Sequence, residues 1–185
     1  ISYMESSRGC PYSCSFCLSG SENRVRFFSM EKVKREILLL SKSGSQTVKF
    51  VDRTFNCKVS HAMEIWNYLH EHDNGVTNFH FEVAADLITE EELELFGKMR
   101  NGLIQLEIGV QSTNENTICE IRRKMNFEKV ADRVTKVKNL GNIHQHLDLI
   151  AGLPNEDYKY DGPQVHPLDL AYLMEFELHD FRLHK

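Results

Sequence analysis

Arg8-Gly9-Cys10-Pro11-Tyr12-Ser13-Cys14-Ser15-Phe16-Cys17 places three cysteines at CxxxCxxC spacing near the start of the chain. Three thiolates so spaced can hold a metal cluster and leave one metal position without a protein ligand. An open position is where chemistry occurs, whereas structural sites are closed by four protein ligands. No fourth Cys or His follows at short spacing, so a zinc knuckle would be incomplete. Cys57 and Cys119 stand alone in different segments. An odd count clustered in this way argues against disulfides and for metal or redox chemistry in a reducing, cytoplasmic compartment.

The rest of the chain bounds the class. Its 185 residues suit one domain with a sizeable core. A net charge of −5 and a pI near 6.0 give no basic face for nucleic acid. No apolar run reaches the ~18 residues of a membrane span. Residues 1–7 are too few for a signal peptide and lead straight into the cysteine loop. The chain starts with Ile1 rather than Met, as expected of a piece excised from a longer protein. There is no low-complexity stretch and no close internal repeat.

Outward from the loop, strand-like and helix-like segments alternate. Residues 1–5 read as a short strand. Ser29 reads as the N-cap of a helix from Met30, with Val33, Ile37 and Leu40 at helical spacing and Gly44 as its stop. A strand over 47–51, a helix over 61–72 and a strand over 78–84 follow. Thr89 and Glu92 form a capping box that opens a helix reaching about Met99. A strand over 103–110, helices over 115–122 and 127–140 ended by Gly141, and a strand over 144–150 complete the pattern. The βαβα order predicts an α/β fold, a parallel sheet curled into a partial (β/α) barrel. Function in such sheets sits at the C-terminal ends of the strands.

The cysteine loop, with the aromatic Phe16 before Cys17, resembles the signature of the radical S-adenosylmethionine (radical SAM) enzymes. That resemblance implies a 4Fe–4S cluster on Cys10, Cys14 and Cys17, with S-adenosylmethionine on the open iron. One electron then releases a 5′-deoxyadenosyl radical that abstracts hydrogen from a small-molecule substrate, the electron coming from a donor such as flavodoxin or ferredoxin. Further segments are similar to the family's. Glu82 matches its acidic residue near the methionyl amino group. Residues 51–56 stand where the family often has a glycine-rich loop, and without those glycines the role passes to Asp52 or nearby backbone. Ile108-Gly109-Val110-Gln111-Ser112 resembles the GVQ segment of oxygen-independent coproporphyrinogen oxidases, which implies a ribose contact for Gln111. Arg123 takes the place of an Arg that pairs with the methionyl carboxylate, and Arg122 replaces an Asn. Asp148 matches an Asp that holds the ribose hydroxyls. The loop also resembles that of magnesium-protoporphyrin monomethyl ester cyclase-like proteins, many of which carry a cobalamin domain upstream. This implies an oxidative cyclase or methyltransferase type, with cobalamin only in a parent protein, because no Asp-x-His-x-x-Gly signature occurs here.

Strand parity adds an expectation independent of any family. Side chains two apart share a face. If Asp148, Glu82 and Gln111 face the lumen, so do His144, His146, His80, Glu107 and Gln105. Their neighbours Phe79, Phe81, Leu106, Ile108, Val110, Leu147 and Leu149 then pack against helices. The same pattern supports a rival, a barrel hydrolase with a divalent metal on His144, His146 and Asp148. A second alternative is an iron–sulfur electron-transfer module. The core is expected over residues 1–158, with 159–185 as a C-terminal segment that is discontinuous or belongs to an adjoining domain. Residues 159–165 are polar and unpatterned, 167–181 could form an amphipathic helix, and no sixth strand is legible.

Overall fold

A computed structural model of the chain describes residues 1–21 and 24–155. The helix expected over 167–181 and the domain break expected after residue 158 lie outside the described residues.

The chain opens with strand β1 (Ser2–Met4) and a two-residue strand β2 (Ser7–Arg8), then the cysteine loop, and returns through β3 (Arg26–Phe27). β2 and β3 pair antiparallel, Ser7 opposite Phe27 and Arg8 opposite Arg26, so a small hairpin closes the base of the loop. Gly9 sits inside that closure at φ 101°, and a side chain there would strike the Arg24 carbonyl. This hairpin was not legible in the sequence, since two-residue strands carry no periodicity.

Helix α1 (Met30–Lys42) follows, capped by the Ser29 hydroxyl, which accepts from the Lys32 N–H. Strand β4 (Thr47–Phe50), helix α2 (Val59–Glu71), strand β5 (Asn78–Val83) and helix α3 (Glu90–Phe96) come next. The capping box of α3 is formed on both sides, between Thr89 and Glu92. Strand β6 (Ile104–Gln111), helices α4 (Glu115–Glu120) and α5 (Phe127–Leu140) and strand β7 (His144–Leu149) complete the described fold. Gly141 ends α5 in the left-handed conformation at φ 72°. Several boundaries differ from expectation by a few residues at most. α2 begins at Val59 rather than at residue 61. α3 stops at Phe96, where Lys98 and Met99 donate to Leu95 and Phe96, tightening the last turn to three-residue bonds.

Five strands form one parallel sheet in the order β1-β4-β5-β6-β7. Each new strand adds to the same edge of the growing sheet, the winding of a barrel rather than of a sheet built outward from its middle. The expected partial barrel is therefore present. Its helix-facing side is a continuous apolar core. Phe50, Phe55, Trp66, Phe81, Phe96 and Leu106 are all fully buried there. Phe81 sits 4.5 Å from Phe50 and 4.4 Å from Phe55, ring centre to ring centre.

Candidate functional site

The cysteine loop lies over the C-terminal ends of the strands. The Ser15 N–H donates to the Ile121 carbonyl at 2.9 Å, docking the loop onto the end of α4. Between loop and strand ends is one pocket of about 780 Å³ including its open mouth. Cys10, Cys14 and Cys17 line its loop wall, with Tyr12 and Phe16. Cys10 and Cys14 are buried, whereas Cys17 and Phe16 are exposed. Burial pushes the Cys14 thiol up from its usual range, and the nearby Arg123 opposes that shift.

The opposite wall comes from the strands. Glu82, Glu107, Gly109, Gln111 and Asp148 all line it. Register explains the gathering: Glu82 stands opposite Glu107, Glu107 opposite His146, and Gly109 opposite Asp148. A bulge then shifts the pairing so that Gln111 stands opposite Leu149. Gln111 has φ 71°, rare for a side-chain-bearing residue. Its amide lies over Gly109, where any Cβ would collide with it. The parity expectation thus holds along β5, β6 and β7 up to that bulge.

Arg123 completes the pocket from the α4–α5 connection. Arg122, at φ 55°, turns the chain in the left-handed conformation just before it. The Arg123 Nη2 donates to the Gly109 carbonyl, and its buried Nε has no hydrogen-bond partner among the described residues. A solvated surface charge, the plain reading of this residue, is therefore excluded.

Below these groups lies a charged layer. Lys49 Nζ and His80 Nε2 each lie 2.9 Å from the same Glu107 oxygen. His80 and Lys49 together hold the Glu107 carboxyl down to about 2. Glu82 is shifted the other way, raised by burial and then by the Glu107 charge. The His144 and His146 rings meet edge to face at 4.5 Å, with His80 6.2 Å from His146.

Two expected site residues are placed elsewhere. Asp52 is only 1% exposed and does not line the pocket; its carboxylate is occupied by Ser6 and Ser7. Ser112 is buried, and its hydroxyl accepts from the Asn114 N–H in the turn after β6. Asp52 was expected to stand in for a glycine-rich loop and Ser112 came with the GVQ-like segment, and neither resemblance fixes which way a side chain turns once the strand has ended. Conversely, Tyr12, Arg53, Thr54, Val83 and Ala84 line the pocket without having been singled out. Lys49 could have been found, since it alternates with the apolar Val48 and Phe50 on β4.

Among the described residues, no three His, Cys, Asp or Glu side chains converge tightly enough to cage a metal ion. The hydrolase trio His144, His146 and Asp148 is therefore no assembled centre. The three thiols likewise share a pocket wall rather than a single point. Their fit to a metal rests on donor chemistry: three soft ligands without a fourth in the loop, facing a pocket. No helix among the described residues is long and apolar enough to cross a membrane.

Comparison with known proteins extends this picture. The radical SAM superfamily profile matches residues 4–160. The cobalamin-dependent radical SAM methyltransferase TokK of Streptomyces tokunonensis is 28% identical over 163 residues, covering 82% of this chain and 23% of TokK. The hopanoid C-3 methylase of Methylococcus capsulatus is 24% identical over 153 residues, 80% of this chain and 28% of that protein. Among solved structures, the radical S-adenosylmethionine methyltransferase TsrM of Kitasatospora setae, with cobalamin and a [4Fe-4S] cluster bound, superposes with a TM-score of 0.72 at 17% identity. That match covers 84% of this chain and 32% of TsrM, and it shows a shared fold. The chain thus spans about a quarter to a third of the length of these proteins.

Proposed function

This chain belongs to the radical SAM superfamily, and on that premise we propose that Cys10, Cys14 and Cys17 bind a 4Fe–4S cluster and that the adjoining pocket binds S-adenosylmethionine. The reaction is reductive cleavage of S-adenosylmethionine with hydrogen abstraction from a small-molecule substrate. The observation that carries the reading is the shared pocket: the three cysteines face Glu82, Gln111, Arg123 and Asp148 across one cavity. When bound, a cluster of this type supplies the electron and the open iron position.

The chain's own residues divide the cofactor's polar groups between them. The Arg123 guanidinium, fixed by the Gly109 carbonyl, offers its remaining donors to the methionyl carboxylate. Glu82 faces the amino group; an ammonium beside it would reverse the upward shift of its carboxyl. Asp148 accepts from the ribose hydroxyls, and the Gln111 amide reaches the same sugar. Phe16 shields the loop side, where Cys17 reaches the surface and a one-electron donor such as flavodoxin or ferredoxin can approach.

The relatives' names support a methyl-transfer type, with cobalamin held by another part of a longer protein. The test is anaerobic reconstitution with iron and sulfide, followed by reduction in the presence of S-adenosylmethionine. Release of 5′-deoxyadenosine, lost in each of Cys10→Ala, Cys14→Ala and Cys17→Ala but kept in Cys119→Ala, is the expected result. A cluster that survives Cys14→Ala would overturn the assignment.

A further inference from the structure

We infer that residues 52–56 preset the cysteine loop for its metal, with Asp52 anchoring the entry to the loop and Thr54 serving as the hydroxyl partner of the Cys10 sulfur. The inference rests on the three-thiolate reading above but concerns different residues. Three alternate side chains of this segment each fix a different part of the site. Asp52 Oδ2 accepts the Ser6 N–H at 2.9 Å, and Oδ1 accepts the Ser6 and Ser7 hydroxyls at 2.7 and 2.6 Å. The Ser6 proton is thus used, so at 3.0 Å its oxygen can only accept, and His61 Nε2 is the donor. The Ser6 carbonyl accepts the Phe28 N–H at 3.0 Å. Every polar group of Ser6 is therefore bound, four residues before Cys10, and all of this is buried.

Thr54 is the second fixed point. Its hydroxyl donates to the Arg53 carbonyl at 2.8 Å and lies 3.5 Å from Cys10 Sγ. With its proton committed, the oxygen presents a lone pair, which suits a thiol S–H. A metal-bound thiolate has no proton to give, so there the hydroxyl must turn and donate to sulfur. Hydrogen bonds to the sulfur ligands of an iron–sulfur cluster tune its reduction potential, and one that favours the added electron raises it. Asn56 pins the far end, donating to the Ala84 carbonyl and accepting from the Ala84 N–H, both at 2.9 Å. Ala84 is itself part of the pocket wall. Asp52 and Thr54 are positioning residues: they act through the cysteines.

Two measurements test the two halves. In the cluster-free chain, the rate of iodoacetamide labelling at Cys10 is read by mass spectrometry against that at exposed Cys119. Losing charge-assisted bonds at the loop entry should raise the Cys10 ratio by about tenfold or more in Asp52→Ala, and by less in Ser7→Ala, which removes one bond. Should Asp52→Ala unfold, Ser7→Ala with native circular dichroism decides the matter. A ratio unchanged from the wild type overturns the anchor. In the reconstituted protein, Thr54→Val should lower the reduction potential at unchanged iron content, and Thr54→Ser should restore it. An unchanged potential in Thr54→Val overturns the sulfur partner. A wild-type chain that takes up no iron overturns the three-thiolate reading and the Thr54 role with it, while the labelling still decides Asp52.

Discussion

On β5 and β6, Phe79, Phe81, Leu106, Ile108 and Val110 face the helices and are all buried, whereas His80, Glu82, Gln105 and Glu107 face the lumen and stay partly exposed. The two sets alternate residue by residue on the same strands. A closed barrel normally fills its interior with branched aliphatics. Here the aliphatic and aromatic mass sits outside the curl, and the inside carries charges that need partners, water or a ligand. Stability is thus concentrated on one face and chemistry on the other, so substitutions on the two faces should fail in different ways.

The sharpest contrast comes from the apolar face. Phe81→Ala should lower unfolding free energy by about 3–5 kcal/mol, because a fully buried ring between Phe50 and Phe55 leaves a cavity. Chemical denaturation measures it. A loss of under about 1 kcal/mol would show that the helix-facing layer is not the core. On the pocket side, Asp148→Ala and Gln111→Ala should leave the denaturation midpoint nearly unchanged and weaken S-adenosylmethionine binding about 10- to 100-fold by calorimetry. Unchanged affinity in both would remove the ribose assignment.

Two carboxylates on the lumen face sharpen the comparison through pH. Glu107 is held down to about 2 by His80 and Lys49, below its ordinary value. A depressed carboxyl contributes stability that is present above that ordinary value and lost as pH falls toward about 2. Glu107→Gln should therefore cost roughly 1–2 kcal/mol at neutral pH, allowing for solvent screening, and the difference from wild type should vanish in strong acid. Glu82 is raised by burial and by Glu107, so its sign is opposite. Its contribution is complete below the ordinary carboxylate value and declines as pH rises through the raised one. Glu82→Gln should stabilise the ligand-free protein slightly at neutral pH while weakening S-adenosylmethionine binding. Denaturation across pH 2–8 with both variants checks the pair, and parallel curves would show that the two carboxylates do not differ.

Local chemistry is what the sequence made legible. Ser29, the Thr89–Glu92 box and Gly141 are complete within a few residues, and each stands where its pattern places it. Alternation on β5, β6 and β7 also survived into three dimensions, because period two is a property of the strand itself. Arg123, Glu82, Gln111 and Asp148 were legible through resemblance, and all four line the pocket. Asp52 was misread because its partners, Ser6 and Ser7, lie 45 to 46 residues earlier and meet it only after β1 and β4 pair. The bulge at Gly109–Gln111 and the hairpin beneath the cysteine loop were hidden for the same reason: each is settled by what approaches from elsewhere in the chain.

The winding of the sheet has a temporal meaning. Strand order follows chain order, so each strand can dock on an edge that already exists when it leaves the ribosome, and long-range search is avoided. The cysteine loop is an exception to that economy. It is synthesised between β1 and β4, and its entry residues wait for Asp52, 46 residues after Ser6, before they are held. Until then the three thiols belong to an untethered chain, open to oxidation and to the wrong metal. On the proposed three-thiolate reading, metal delivery is therefore best timed after β4 has joined the sheet.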